Sequence, residues 1–267
     1  MKFMHMKKIK IKAFKLLSTL VVLACPLLLT ACITTDGDGA KTTKAVTPNS
    51  KKVKIYAQLA RNYMKQEQYE VAESEIAKAL KIVPNDSESN YIMGLLMIET
   101  KQYDRVAPFM ETAVKSDLKN SAAAHDFGMF LCQTGKELRS ITYFDKAVSN
   151  PYLEKPELSL MRAGECLSKA GEDSRAEQYL KRAIKRNPRM SPALFNLAKI
   201  NFRTESYLSA RAYIERYLSI TKPKPGALLL AYKIESQLNA RDVASKYRVQ
   251  LLESFPASKE ASELRAR

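Results

Sequence analysis

Small side chains recur in this chain at a fixed interval of 34 residues, and that interval leaves few folds open. Counted from Val53, large apolar residues stand at positions 4, 7 and 11 (Tyr56, Leu59, Tyr63) and a small one at 8 (Ala60). Alanines follow at 20 and 27 (Ala72, Ala79), a large apolar residue at 24 (Ile76) and proline at 32 (Pro84). The same frame from Glu157 gives Leu160, Ala163, Gly164, Leu167, Ala176, Leu180, Ala183 and Pro188, with Ala163 smaller than the pattern asks. Four further copies are more degenerate. Residues 87–120 keep Met93, Gly94, Met110 and Ala113; residues 121–154 keep Phe127, Gly128, Leu131, Phe144 and Ala147, with Pro151 one place early. Residues 191–224 keep Leu194, Leu197, Ala198, Ala210 and Ile214. Residues 225–258 keep Leu228, Ala244 and Pro256 but carry Tyr232 where a small residue is usual. Two extra residues, Lys155 and Pro156, separate the third copy from the fourth at 157–190.

Each element of the pattern has a physical cause. The helical period puts positions 4, 7, 8 and 11 on one face. Small residues at 8, 20 and 27 let two antiparallel helices, and the next pair, approach closely, while the large residues fill the spaces between. Gly135 and Gly171 fall at position 15, where the first helix must end in a left-handed turn. Tyr69, Tyr103 and Tyr207 fall at 17, early in the second helix, and proline at 32 stops that helix. The period and these positions are those of the tetratricopeptide repeat (TPR). The predicted fold is therefore all-α, a right-handed superhelical solenoid of six TPR hairpins over 53–258, with 259–267 left as a C-terminal tail.

The N-terminus reads as an address. Six lysines lie in the first fifteen residues, no acid precedes Asp36, and residues 16–31 are almost wholly apolar. This is the layout of a bacterial export signal, and the apolar run, interrupted by Pro26, is short for a span of ~20 residues. It ends in Leu29-Thr30-Ala31-Cys32, which resembles the lipobox of bacterial lipoproteins, so 1–31 is expected to be removed and Cys32 to be lipidated. Val22-Leu23-Ala24-Cys25 is a weaker second candidate, because proline follows its cysteine. Ile33 after the lipid site, by resemblance to enterobacterial lipoproteins, favours the periplasmic face of the outer membrane. Residues 33–52 are mostly Thr, Gly, Asp, Lys and other small or polar residues and are expected to form a flexible tether.

Catalysis finds no support. His125 is the sole histidine after residue 31, and there is no Gly-rich phosphate loop, no HExxH and no paired CxxC. No metal, no cofactor and no enzyme activity are expected. Two cysteines remain: Cys132 at position 12 of the third repeat and Cys166 at position 10 of the fourth, on neighbouring first helices. In an oxidising compartment they form either a disulfide or two separate buried thiols. The formal charge is +16, and loss of the six leader lysines leaves +10. Since no stretch after residue 53 is a dense basic run, the surplus is expected to spread over solvated helix faces, with no nucleic-acid partner.

A partner would meet the concave surface, lined by positions 2, 5, 9 and 12 of the first helices. In repeats 1–3 these positions predict an apolar groove centred on Tyr91, Leu95, Ile98 and Met129, with Met64 beside it; Phe195 and Phe202 occupy the same positions in repeat 5. Such a groove suits an apolar helix or extended peptide, and Met is adaptable there.

Several stretches are more specific than the repeat itself. Phe127-Gly128-x-Phe130-Leu131-Cys132-Gln133-x-Gly135, Asn150-Pro151-Tyr152, Pro156-Glu157 and Ala163-Gly164-x-Cys166 resemble the type IV pilus biogenesis TPR lipoproteins, the PilF/PilW family. Ala176-Glu177-x-Tyr179, Ser209-Ala210-Arg211-x-Tyr213-x-Glu215-Arg216-Tyr217, Arg241-Asp242 and Gln250-Leu251-x-x-x-Phe255-Pro256-x-Ser258 continue the resemblance, as does the two-residue insertion. It implies six TPRs on a lipid-anchored monomer at the outer membrane. It also implies a pilotin, which binds the pilus secretin and promotes its multimerisation. An adaptor for peptidoglycan hydrolases or other envelope proteins is the alternative.

Overall fold

The computed structural model describes residues 48–266. The leader, Cys25, Cys32 and most of the expected tether lie outside these residues. Twelve helices pair into six antiparallel hairpins: α1 (Pro48–Lys65) with α2 (Tyr69–Ile82), α3 (Ser87–Glu99) with α4 (Val106–Ser116), and α5 (Ser121–Gln133) with α6 (Glu137–Ser149). Next come α7 (Pro156–Lys169) with α8 (Asp173–Arg186), α9 (Ser191–Arg203) with α10 (Tyr207–Ile220), and α11 (Pro225–Gln237) with α12 (Arg241–Ser254). A short α13 (Lys259–Arg265) follows. The architecture is an all-α TPR stack. Between α3 and α4, residues Tyr103–Arg105 form a 3-10 turn; Pro108 has no N–H to donate to the Asp104 carbonyl, so the start of this second helix is not held as α.

Two boundaries differ from the sequence reading. α1 opens at Pro48, taking in the last five residues of the segment read as tether, because proline's fixed φ and missing N–H suit a first turn. The segment read as a C-terminal tail is helical. Ser258 caps α13 by accepting from Ala261 N at 3.1 Å, and Ala261 and Leu264 are buried against Leu228, Leu229 and Leu251. A terminal hairpin of a stack needs such a cover for its apolar face. Tyr232 packs beside this cluster.

Most repeat positions do what their sizes dictate, although Leu59, at position 7 of the first repeat, is exposed. Ala60, Ala72, Ala79, Ala176, Ala183, Ala198 and Ala210 have no solvent exposure, and Ile76, Phe144, Leu180 and Ile214 fill the spaces beside them. Position 15 is left-handed in all six repeats: Gly135 and Gly171 (φ +78° and +82°), and also Glu67, Lys101, Glu205 and Asn239 (φ 58–59°). In each case the next residue donates back across the helix end, as Gln68 N does to Tyr63 O at 2.9 Å and Ser206 N to Asn201 O at 2.8 Å. Cys132 and Cys166 are disulfide-bonded, their Cα atoms 5.8 Å apart, tying α5 to α7.

The positive surplus is not spread as evenly as the sequence reading expects. Arg182, Lys185, Arg186 and Arg189 crowd the end of α8 and the turn after it, all exposed. Among the described residues no helix is long and apolar enough to cross a membrane.

Candidate functional site

The first helices form the inner layer, and polar links join each to the next. Arg61 of α1 donates to Glu88 of α3 through Nε at 2.9 Å. The Tyr91 hydroxyl of α3 donates to Asp126 of α5 at 2.5 Å. His125 Nδ1 lies 2.8 Å from the Ser159 hydroxyl of α7, and Asn196 Nδ2 of α9 donates to Glu165 of α7 at 3.0 Å.

These links change the groove expected in repeats 1–3. Tyr91 is 7% exposed, its ring lies under the Arg61 guanidinium at 5.4 Å, and its hydroxyl is engaged. Burial and the Asp126 carboxylate push its pKa well above the ordinary phenol value, so it stays neutral. Tyr91 is thus a packing residue and not the centre of an open groove. The reason recurs at position 5: Ala57, Tyr91 and Met161 are buried there beside the next first helix and Leu229 against α13, while His125 and Phe195 are half-buried. Met64, Leu95 and Ile98 pack against the core of the first repeats and Met129 against that of the middle ones, each with part of its surface open.

The fifth junction is built differently. Where its neighbours place polar partners, α9 and α11 place Phe195, Phe202, Leu229 and Leu230, and these line a cleft of about 510 Å³. Phe195 leans on Tyr217 with ring centroids 5.2 Å apart, and Phe202 on Tyr207 at 5.6 Å, so both rings are held from behind. Lys199, Arg203 and Lys233 rim the cleft. Lys199 Nζ sits 5.9 Å from the Phe195 ring centroid, and Lys233 pairs with Glu263 of α13 at 2.9 Å. Apolar walls suit an amphipathic segment, and of the rim cations Arg203 is paired with Asp173 while Lys199 enters no ion pair among the described residues. The sequence reading named Phe195 and Phe202 but not Leu229 and Leu230, which only the pairing of α9 with α11 brings to them.

A second hollow, of about 540 Å³, lies between the turns that flank α5 and α7, lined by His125, Asp126, Tyr152, Leu153 and Leu158 among others. Ser159, which faces His125, is buried, so the pair offers no exposed nucleophile. Among the described residues no group of His, Cys, Asp and Glu could hold a metal ion.

Comparison with known proteins agrees with this geometry. Tetratricopeptide-repeat family profiles match residues 161–227 and 53–86. The type IV pilus assembly protein PilF of Pseudomonas aeruginosa is 22% identical over 240 residues, covering 89% of this chain and 94% of PilF. The crystal structure of PilW, a widely conserved type IV pilus biogenesis factor, superposes with a TM-score of 0.62 at 28% identity, over 79% of this chain and 97% of PilW. The chain is a TPR protein related to PilF and PilW. The solved structure of P. aeruginosa PilF has the same fold, with a TM-score of 0.66 at 19% identity over 82% of this chain and 99% of that one. TPR proteins of pilus biogenesis mediate protein–protein interaction.

Proposed function

We propose that this chain is a type IV pilus pilotin: a lipoprotein of the outer membrane, anchored through Cys32, that binds the pilus secretin and promotes its multimerisation. The carrying observation is the match to PilF, which runs along nearly the whole of both chains. The lipobox at Leu29–Cys32 and the stretch before it supply the anchor. The cleft between α9 and α11 supplies a surface able to cover apolar secretin sequence until the ring forms. Tethering raises the local concentration of secretin at the membrane where it assembles, so a modest affinity suffices.

Deleting the gene and running the secretin on a gel without boiling tests this reading. The expected result is loss of the heat-resistant multimer together with loss of pili, both restored by the wild-type gene. Failure of a Phe202→Asp gene to restore the multimer, with the protein present at normal level, would place the binding at the cleft. An intact multimer in the deletion strain would overturn the pilotin reading and leave the chain an adaptor for other envelope proteins.

A further inference from the structure

The turns that join one repeat to the next all lie along one edge of the stack. Side chains lace them together. Asn120 Nδ2 donates to the Ser87 hydroxyl at 3.0 Å, Asn150 Nδ2 to the Lys119 carbonyl at 3.0 Å, and Arg216 Nη2 to the Pro188 carbonyl at 3.3 Å. This edge carries more cations than acids, the turns themselves holding Asp86, Asp117 and Glu154. Lys119, Lys155, Arg186, Arg189, Lys222 and Lys224 stand on it, all exposed. None of the six enters an ion pair among the described residues. The last two turns, 187–190 and 221–224, hold no carboxylate at all. At the opposite edge cations and acids alternate: Lys169 pairs with Glu137 at 2.7 Å, Arg203 with Asp173, and Arg175 with Glu172 at 3.9 Å, while Lys65, Lys101, Lys136 and Arg241 are exposed and enter no ion pair among the described residues.

Favourable charge at helix C-termini explains only part of this. Arg186 sits in the last turn of α8, where a cation meets the negative end of the helix dipole. The other five lie in the turns or at their ends, beyond the reach of that effect. The same edge also presents two uncovered apolar tips. Leu118 is 73% exposed and Tyr152 is 80% exposed, both at position 32, where repeats 1 and 4 have proline. Lys119 follows the first directly and Lys155 lies three residues after the second. Apolar and aromatic tips beside unpaired cations suit a lipid interface, and Lys119, Tyr152 and Lys155 also line the hollow of about 540 Å³ between α5 and α7. The tips enter the headgroup layer while the cations meet lipid phosphates.

We infer that this edge seats the domain on a bilayer containing anionic lipid, with Leu118 and Tyr152 inserted and Lys119, Lys155, Arg189 and Lys224 against the headgroups. The inference does not depend on the pilotin reading: a chain with another partner would still carry this edge. It fixes how the stack is presented, because an edge laid on the membrane turns the cleft of α9 and α11 sideways, open to a partner in the same plane.

The chain contains no tryptophan, so a single one reports its own surroundings. Full-length Tyr152→Trp protein is mixed with vesicles of phosphatidylcholine alone or with a third phosphatidylglycerol, and emission and acrylamide quenching are read. A blue shift and protection from quencher are expected with the anionic vesicles only, fading as salt rises. Lys155→Glu and Arg189→Glu should each weaken the anionic-vesicle response by about fivefold or more, from roughly one lipid-contact's worth of attraction per cation. Leu208→Trp, on the opposite edge and 70% exposed in the native chain, should show no shift. No shift at Tyr152→Trp, an equal shift in both vesicle types, or an equal shift at Leu208→Trp would overturn the inference. So would a response to polyglutamate or duplex DNA in place of vesicles, which would make the edge a general polyanion surface. Pilus assembly enters none of these readouts, so failure here leaves the pilotin reading untouched.

Discussion

Gly164 of α7 lies directly under Leu180 of α8: a Cβ built on Gly164 would stand 2.6 Å from Leu180 Cγ and 3.1 Å from the Ala176 carbonyl oxygen. The same relation between positions 8 and 24 recurs as Gly94 with Met110 and Gly128 with Phe144, each with a nearest approach of 2.9 Å. In those two the obstructing atoms belong to side chains that can shift. At Gly164 one is backbone, so the hairpin itself must open. Gly164→Ala should therefore destabilise by about 1–3 kcal/mol, as overpacking of a well-filled core does, and more than Gly94→Ala. Urea unfolding followed by helical circular dichroism checks this; equal midpoints for the two variants would show that the close approach at Gly164 is not what sets the spacing.

The helix ends were only partly legible in the sequence. Gly135 and Gly171 mark a left-handed residue because glycine is the usual choice there, and Asn239 is a weaker signal of the same kind, but Glu67, Lys101 and Glu205 adopt the same φ with nothing in their identity to say so. The stack forces it, since a hairpin closed on small residues leaves one path for the chain. A similar override hides the inner polar links. Position 11 holds Asn201 in the fifth repeat and Glu235 in the sixth, where a large apolar residue is expected, and both are buried. Position 21 of the preceding repeat answers each, Glu177 accepting from Asn201 Nδ2 at 3.1 Å and Arg211 donating to Glu235. That pairing spans 24 residues and is visible only once the 34-residue frame is laid over both repeats. The groove was the least legible part, because position 5 is divided between solvent and the neighbouring helix by the size of whatever residue the next repeat supplies.

Backbone strain at position 15 is open to a direct test. A β-carbon in the left-handed region costs roughly 1–2 kcal/mol, partly offset by the greater freedom glycine gives the unfolded chain. Glu205 is exposed at φ 58°. Glu205→Gly should raise stability by about 0.5–1 kcal/mol, the remainder after that offset. Asn239→Gly should gain less, because Asn tolerates this conformation. Thermal midpoints measure both, and a loss on Glu205→Gly would mean the turn draws its stability from the glutamate side chain.

Arg211 and Glu235 lock the fifth repeat to the sixth. The carboxylate is 1% exposed and receives both prongs of the guanidinium, Nε to Oε1 at 2.8 Å and Nη2 to Oε2 at 2.5 Å. Removing the cation strands a buried charge, whereas replacing both partners by apolar groups does not. Arg211→Met should cost about 3 kcal/mol, the lower end for a broken buried pair because the guanidinium itself is part-solvated. The double variant Arg211→Met with Glu235→Leu should recover most of that loss. A double variant as unstable as the single one would show that the fork contributes packing that methionine and leucine cannot reproduce.

His125 makes the stack sensitive to mild acid. Its ring is held edge-on to Phe144 with centroids 5.7 Å apart, and its Nδ1 lies 2.8 Å from the Ser159 hydroxyl. Burial pushes its pKa below the ordinary 6.5; the neighbouring Asp126 pulls the other way and Arg162 adds to the depression. Protonation is therefore easier in the unfolded chain than in the native one. The stabilisation from a neutral His125 is complete above pH 6.5, and it is lost as pH falls through that value toward the lowered native pKa. Stability should decline as pH falls below the ordinary 6.5, before most carboxylates titrate, and His125→Gln should flatten that part of the curve. With no other histidine among the described residues, the ring can be titrated by NMR in the same samples. A native pKa at or above 6.5 would assign any loss of stability in this range to another group.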